Sequence, residues 1–453
     1  MTDADLIARY DGRAPRYTSY PTAPHFTGAT GPGVYAGWLR ELPEDAALSL
    51  YLHVPFCDRL CFYCGCNTSV VRLESSHRAY AKRLIAEIER VAAAIGRRAS
   101  ARAVHWGGGT PTMLPADQLI EIMARLRALF AFERNAEIAT EIDPTSLKAD
   151  RLAALREMGV TRMSLGVQDL DPAVQAAIGR RQTYEETQDC ARAARALGVH
   201  SLNLDLIYGL PLQSVDSVTR TARQALQLGA DRVAVFGYAH VPWMKKHQAV
   251  IPEESLPGAS ARFEQAQAIH RVLTQEGGYV AIGLDHYARP SDAMAKAAAA
   301  GKLRRGFQGY TTDDAPVLLG FGASAIGQLP GSYVQNAPTA AAYNMLIDAG
   351  GLATVRGIGL AADDRLRRDV IERLMCALEV DLVGVAEAHG ADPAGLIGDA
   401  AGLARFVADG LAQFDGRSVV VTEKGRPFLR SVAALFDAYL VRDEDQPRHA
   451  RTS

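Results

Sequence analysis

Between residues 48 and 240, short β-type runs and longer helical runs alternate six times, and few folds accommodate that pattern. The β-type runs are LSLYLHV (48–54), ARAVHW (101–106), EIATEI (137–142), RMSLGV (162–167), SLNLDLIYG (201–209) and RVAVFGYA (232–239). Helical periodicity fills the gaps: SHRAYAKRLIAEIERVAAAI (76–95) with Ser76 as N-cap, ADQLIEIMARLRALF (116–130), and a helix over 147–158. Strands separated by helices of this length form βαβ units on a parallel sheet. The expected fold is α/β, a partial (β/α)6 TIM-like barrel. The periodicity changes after residue 330. Helices are expected near 364–378 and 400–413, and SVVVTEKGRPFLRSVAALFDAYL reads as strand, glycine turn and helix. That is a small, mostly helical, winged-helix-like unit. Three segments follow: an irregular N-terminal extension (1–46), the barrel with its extension (47–350) and the C-terminal unit (351–453).

The strand ends carry the chemistry. Strand one runs into a cysteine loop, strand two into Gly107-Gly108-Gly109-Thr110, and later strands end at or carry Glu141, Gln168, Asp205 and Ala239-His240. In a barrel these ends line one mouth, where reactions take place. A net charge of −2 leaves no global positive field for nucleic acid. The longest apolar runs fall short of a membrane span, and the N-terminus lacks the apolar core of a signal peptide. The expectation is a cytoplasmic protein without membrane insertion.

Four of six cysteines, Cys57, Cys61, Cys64 and Cys66, lie within ten residues in HVPFCDRLCFYCGCN, whereas Cys190 and Cys376 stand alone in helical stretches and read as buried apolar residues. Clustered thiols in a chain of this size indicate a metal or redox centre, not a disulfide scaffold. Cys57-x3-Cys61-x2-Cys64 offers three thiolates, which leaves one iron of a four-iron cluster open to a substrate. Structural zinc is the competing reading. It needs a fourth ligand, and Cys66, two residues beyond Cys64, fits one tetrahedron awkwardly.

This three-cysteine spacing, with Tyr63 before the last cysteine and GGGTP after strand two, resembles the radical S-adenosylmethionine (SAM) enzymes. PRYTSYPTA, YLHVPFCDRLCFYCGCN, HWGGGTPT, EIDP, SLGVQD, LDLIYGLP, GLDHYARP, FQGYTT and LLGFGASAIG together resemble one family among them, the oxygen-independent coproporphyrinogen III oxidases. The resemblance runs from about residue 14 to the C-terminal unit. It implies an oxidoreductase of haem biosynthesis. Such an enzyme converts two propionates of coproporphyrinogen III to vinyls, giving protoporphyrinogen IX, by means of a SAM-derived 5′-deoxyadenosyl radical. Its cofactors are a [4Fe-4S] cluster and one SAM, or two.

The resemblance also implies roles for individual residues. Cys57, Cys61 and Cys64 match cluster ligands. Tyr51, Tyr63, Gly108, Gly109, Thr110, Glu141, Gln168, Arg180, Asp205, Ala239 and Ile326 match SAM contacts. Cys66, Arg16 and Gln308 are candidates for catalysis or substrate handling, with the N-terminal extension over the active site. Arg289, Arg304 and Arg305 are further candidates for the substrate carboxylates, Phe307 and Tyr310 for its pocket, and His240 and His286 for proton transfer. The implied partners are coproporphyrinogen III and a low-potential electron donor such as flavodoxin or ferredoxin, with the chain a monomer. Two other readings compete: a haem-binding chaperone of the same superfamily, against which PRYTSYPTA and Cys66 count, and a radical SAM enzyme with another substrate.

Overall fold

Leu48, Leu50 and Leu52 are buried under the surrounding helices, while Ser49, Tyr51 and His53 alternate with them and face the other side of the sheet. Each such leucine contributes about 2 kcal/mol on burial. The alternation therefore fixes which side of the strand is core and which is lumen. The computed structural model describes residues 2–10, 12 and 14–440. The strands of its main sheet are β1 (Leu48–Val54), β2 (Ser100–Gly108), β3 (Ala131–Ile142), β4 (Arg162–Gln168), β5 (Ser201–Tyr208), β6 (Arg232–Gly237), β7 (Val280–Ile282), β8 (His286–Ala288), β9 (Val317–Phe321), β10 (Ile326–Leu329), β11 (Ser332–Asn336) and β12 (Thr354–Gly359).

They form one twelve-stranded sheet in the order β12-β11-β10-β9-β1-β2-β3-β4-β5-β6-β8-β7. From β9 through β1 to β6 every pairing is parallel. The six expected strands are thus present in chain order. A seventh parallel strand, β9, joins β1 from the far end of the chain, with Tyr51 opposite Gly320. Its short apolar sequence, VLLGF, gives no period that separates it from a turn or a buried helix segment. Antiparallel strands extend both edges.

Crossover helices Glu74–Ile95, Ala116–Leu129, Ala149–Met158, Tyr184–Ala196 and Val215–Gln227 cover the outer face. Ser76 is not the cap of the first. That helix begins at Glu74 with Leu73 at its N-cap and no side-chain cap.

The N-terminal extension is more regular than its sequence suggests. Asp3–Tyr10 is a helix in which Asp5 accepts from the Thr2 backbone N–H (2.8 Å) and Thr2 Oγ1 accepts from Asp5 N–H (3.3 Å). Its Leu6, Ile7 and Tyr10 are buried in the same apolar cluster as the C-terminal unit, where Tyr10 stacks on Phe406 with ring centroids 4.5 Å apart. Pro32–Arg40 is a second helix, and its Tyr35 and Leu39 join the barrel core. Between the two, Thr27 bridges Gly357 on β12.

The C-terminal unit opens with the expected helix, Ala362–Ala377. The helix expected over 400–413 is broken into Ala394–Asp399, a 3-10 turn and Ala404–Ala408. Gly395, Gly398 and Gly402 weaken this stretch as a continuous helix. A small antiparallel sheet of Glu379–Asp381, Ser418–Val421 and Ala412–Phe414 completes the wing-like unit. Among the described residues no helix is long and apolar enough to cross a membrane.

Candidate active site

The C-terminal ends of β1 to β6 surround a cavity of about 480 Å³. Cys57, Cys61, Cys64 and Cys66 line it, with Arg16, Tyr63, Gly108, Gly109, Thr110, Glu141, Gln168, Arg180, Asp205 and Ala239. Five expected site residues lie elsewhere. Tyr51 sits beneath the floor, its hydroxyl donating to His53 Nδ1 (3.0 Å). Ile326 packs against the Phe26–Tyr333–Leu360 cluster. Gln308 and Phe307 line a separate cavity of about 370 Å³ that also takes in Arg304.

The cysteine loop leaves β1 at Pro55 and is closed at its base by a two-residue parallel ladder, Phe56–Cys57 with Ser69–Val70. Cys64 N–H donates to Cys61 O (3.1 Å), which makes the turn that brings two thiols to one side. Distant segments hold the loop from outside. Phe62 N–H donates to Ile178 O (2.9 Å), and Asn67 Nδ2 to Pro338 O (2.6 Å). Residues Lys245, His247 and Gln248 donate to the carbonyls of Cys66 (2.9 Å), Cys64 (2.7 Å) and Tyr63 (2.8 Å). Thr68 Oγ1 donates to Cys57 Sγ (3.0 Å). A hydrogen bond from Cys66 holds the Cys64 pKa below the usual thiol range.

The glycine loop passes directly over this base. Gly109 N–H donates to Val54 O (2.8 Å) and Thr110 N–H to Phe56 O (2.7 Å). A Cβ at Gly109 would lie 2.5 Å from Phe56 O and 3.0 Å from Cys57 Sγ, and one at Gly108, whose φ is +110°, would meet the His53 ring at 2.6 Å. Glycine is therefore required at both positions by close approach.

The lumen beneath is polar. Glu141 accepts from Gly108 N–H (3.1 Å) and His105 Nε2 (3.3 Å). Burial pushes its pKa up, but His105 and the Gly108 N–H outweigh this and keep it below the usual carboxylate range. Asp205 accepts from Ser164 (3.0 Å) and Asn203 (2.8 Å), yet burial and the charge of Glu141 raise its pKa to about 6. Gln168 holds φ +67°, which is costly for a residue with a Cβ. Arg180 is 7% exposed and bonds Gly166 O (2.7 Å) and Asp143 (3.3 Å), with Cys61 Sγ at 3.7 Å. Arg180 Nε and the nearby Arg59 Nε are buried without a hydrogen-bond partner. Arg16 reaches the rim from the N-terminal extension, donating to Gly237 O (2.9 Å) over the Phe236 ring.

The other sequence candidates are engaged in other contacts. Arg289 donates to Ala230 O (2.8 Å), and Arg305 donates to Arg16 O (3.0 Å), which braces the Arg16 backbone. Tyr310 is buried, its hydroxyl on Met375 O (2.7 Å). His240 pairs with Tyr238 and His286 with Asp285. Cys190 and Cys376 are buried, as expected. Sequence reasoning missed Asp143 and Arg59, which pair across the site at 3.1 Å. The signal for Asp143 was its place directly after β3 in the EIDP segment. Arg59, Lys245, His247 and Gln248 had no such signal.

The donor set fits an iron–sulfur cluster with SAM. Three thiols share one cavity beside a glycine cradle, with buried guanidinium N–H groups unpartnered. Among the described residues no three His, Cys, Asp or Glu side chains converge as a single metal ion requires.

A parallel half-barrel whose first loop carries CxxxCxxC and whose second strand ends in GGGTP defines the radical SAM class. The sequence profile of the Radical SAM superfamily matches residues 51–225, and that of the HemN C-terminal domain matches residues 360–428. The chain belongs to the oxygen-independent coproporphyrinogen III oxidase family. It is 51% identical to the oxygen-independent coproporphyrinogen III oxidase of Bradyrhizobium diazoefficiens over 99% of both chains. It is 40% identical to that of Escherichia coli, over 97% of this chain and 95% of the other. The solved structure of coproporphyrinogen III oxidase (HemN) from Escherichia coli, a radical SAM enzyme, superposes with a TM-score of 0.90 at 38% identity, covering 97% of this chain and 99% of that one.

Proposed function

We propose that this chain is a radical SAM oxidoreductase that decarboxylates two propionates of coproporphyrinogen III to vinyls, giving protoporphyrinogen IX for haem biosynthesis. The observation that carries the reading is full-length kinship joined to one cavity in which the cysteine loop, the glycine loop and Arg180 meet. When bound, the cluster and SAM supply a hydrogen-abstracting 5′-deoxyadenosyl radical, which an unactivated C–H bond requires. Each propionate gives a hydrogen atom to that radical and releases CO2, and its remaining electron passes to an external one-electron acceptor.

The chain's own groups bind and orient. Cys57, Cys61 and Cys64 hold the iron. Gly108, Gly109 and Thr110 present backbone to the methionyl end of SAM, and Arg180 faces its carboxylate. Asp205 and Gln168 accept and donate to ribose hydroxyls, and Glu141 fixes the glycine loop through Gly108 N–H. Tyr63, Ala239 and Cys66 complete the wall, and Arg16 stands at the rim for a substrate carboxylate. Tyr51 supports the floor through His53, while Ile326 and Gln308 act from neighbouring layers. The cavity holds one SAM or two, and equilibrium dialysis on the reconstituted protein counts them. A donor of flavodoxin or ferredoxin type supplies electrons to a monomer in the cytoplasm.

The test is anaerobic. The reconstituted, reduced protein is given SAM and coproporphyrinogen III, and 5′-deoxyadenosine and porphyrin products are followed. Protoporphyrin in wild type and none in Cys61→Ser is expected. SAM cleavage with unchanged coproporphyrinogen would overturn the substrate.

A further inference from the structure

Thr68 lines the cavity of the cysteine loop, yet in the reading above it neither binds iron nor contacts SAM. Its hydroxyl lies 3.0 Å from Cys57 Sγ and 3.2 Å from Pro55 O. A hydroxyl has one proton to give, so these two acceptors compete for it. Pro55 O is already served by the next residue, which donates from its backbone N–H (2.8 Å) and from Ser69 Oγ (3.2 Å). A carbonyl oxygen has two lone pairs, and Ser69 takes both. The Thr68 proton is therefore left to the sulfur.

The fold holds the hydroxyl at that sulfur from three sides. Asn67, the residue before it, is fixed at both its ends. Its amide donates to Pro338 O (2.6 Å), and its carbonyl accepts from His53 Nε2 (2.9 Å). Two residues further on, Val70 pairs with Cys57 in the short parallel ladder. The glycine loop roofs the pair, since a Cβ at Gly109 would lie 2.8 Å from Thr68 Oγ1 and 3.0 Å from Cys57 Sγ. The Thr110 hydroxyl also faces this sulfur, but from 3.9 Å. Cys61 Sγ has the Arg180 guanidinium at 3.7 Å, and that group also bonds Gly166 O and Asp143. Thr68 is thus a donor whose proton goes to a cluster ligand alone.

We propose that Thr68 is a positioning residue that sets the reduction potential of the cluster, by donating its hydroxyl proton to the Cys57 thiolate when that sulfur holds iron. One-electron reduction adds negative charge to the iron and its sulfur ligands. A hydrogen bond to a charged acceptor is stronger than one to a neutral acceptor, so this one favours the reduced state. Hydrogen bonds to the sulfurs are among the levers that set such potentials. The hydroxyl therefore raises the potential, and a less strongly reducing donor suffices. No bond to the protein is made or broken; the electron comes from the low-potential donor. The proposal rests on the cluster reading above and is independent of the substrate.

The test is a redox titration of the reconstituted, SAM-free chain, with dithionite as reductant and viologen mediators, followed by electron paramagnetic resonance of the reduced cluster. Thr68→Val keeps the shape of the side chain and removes the proton. It should lower the reduction equilibrium constant severalfold, up to about tenfold, which for one electron is about 59 mV. Thr68→Ser restores a hydroxyl and should return most of the shift. A fully iron-loaded Thr68→Val with the wild-type potential would overturn the proposal, as would an equal shift in Thr68→Ser. If Thr68→Val loads iron poorly, Thr68→Ala carries the same test. Loss of the cluster from both would assign the hydroxyl to cluster assembly and overturn its role in the potential. The wild-type spectrum separates this inference from the reading beneath it. A wild type with no four-iron signal removes the cluster itself, whereas a loaded wild type with an unshifted variant removes only the part given to Thr68.

Discussion

Asp205 sits among hydrogen-bond donors and is still hard to ionise, because burial and Glu141 together outweigh Ser164 and Asn203. An acid whose pKa rises on folding, here from 3.8 to about 6, favours the fold in its protonated form. Its cost is absent below about pH 4, grows as the pH rises through the folded value and is complete above it. Asp205→Asn should therefore raise the melting temperature of the cofactor-free protein at pH 7.5, and the gain should vanish near pH 4. The same variant should bind SAM more weakly, since the amide cannot accept from both ribose hydroxyls. A gain equal at both pH values would show that the carboxylate's charge is not the cause. His53 illustrates the opposite case at the same scale. Burial lowers its pKa, Nδ1 accepts from Tyr51 and Nε2 donates to Asn67 O (2.9 Å), so it is a neutral brace.

Two elements set the floor and the roof of the site. The glycine loop crosses the cysteine loop so closely that a methyl group at Gly109 meets backbone, which cannot swing aside as a side chain could. Gly109→Ala should cut iron retention after reconstitution severalfold while leaving far-ultraviolet circular dichroism unchanged. The helix Glu74–Ile95 supplies the second constraint. Its Glu87, 2% exposed, accepts from Gly322 N–H (2.7 Å), Asn336 Nδ2 (2.6 Å) and Tyr343 Oη (2.8 Å). Tyr80 on the same helix donates to His53 O (2.8 Å) and accepts from Ala323 N–H (2.8 Å), which ties the end of β9 to the end of β1. Glu87→Gln replaces one of the two acceptor oxygens with an NH2 group facing groups that themselves donate, and should cost about 1–3 kcal/mol in denaturant unfolding. The strands of the half-barrel were legible because alternation and helix period are local. The join between β9 and β1 was not, because it depends on this buried network from three distant segments. For the same reason Cys57, Cys61 and Cys64 could be read from spacing alone, whereas Arg59, Lys245 and His247 could not. Their roles come from which loops the fold brings beside the cysteines.

At the scale of the whole molecule, the two chain ends share a core. Leu6, Ile7 and Tyr10 pack with Phe406, Phe428 and Val432, and Arg9 pairs with Asp409 at 2.9 Å. With Arg9 half exposed, the ion pair adds little, so the apolar contacts hold the N-terminal helix. Removing residues 1–10 should lower the melting temperature and open the C-terminal unit to protease, since it strips that unit of a buried face. A truncation that melts and resists protease like the full chain would show that the helix is only docked. The cysteine loop has a different consequence. Its outer braces come from Ile178, from residues 245–248 and from Pro338, all made after the cysteines themselves. On the ribosome the thiols therefore emerge long before the walls of their socket, which are complete only once about residue 338 has left the exit tunnel.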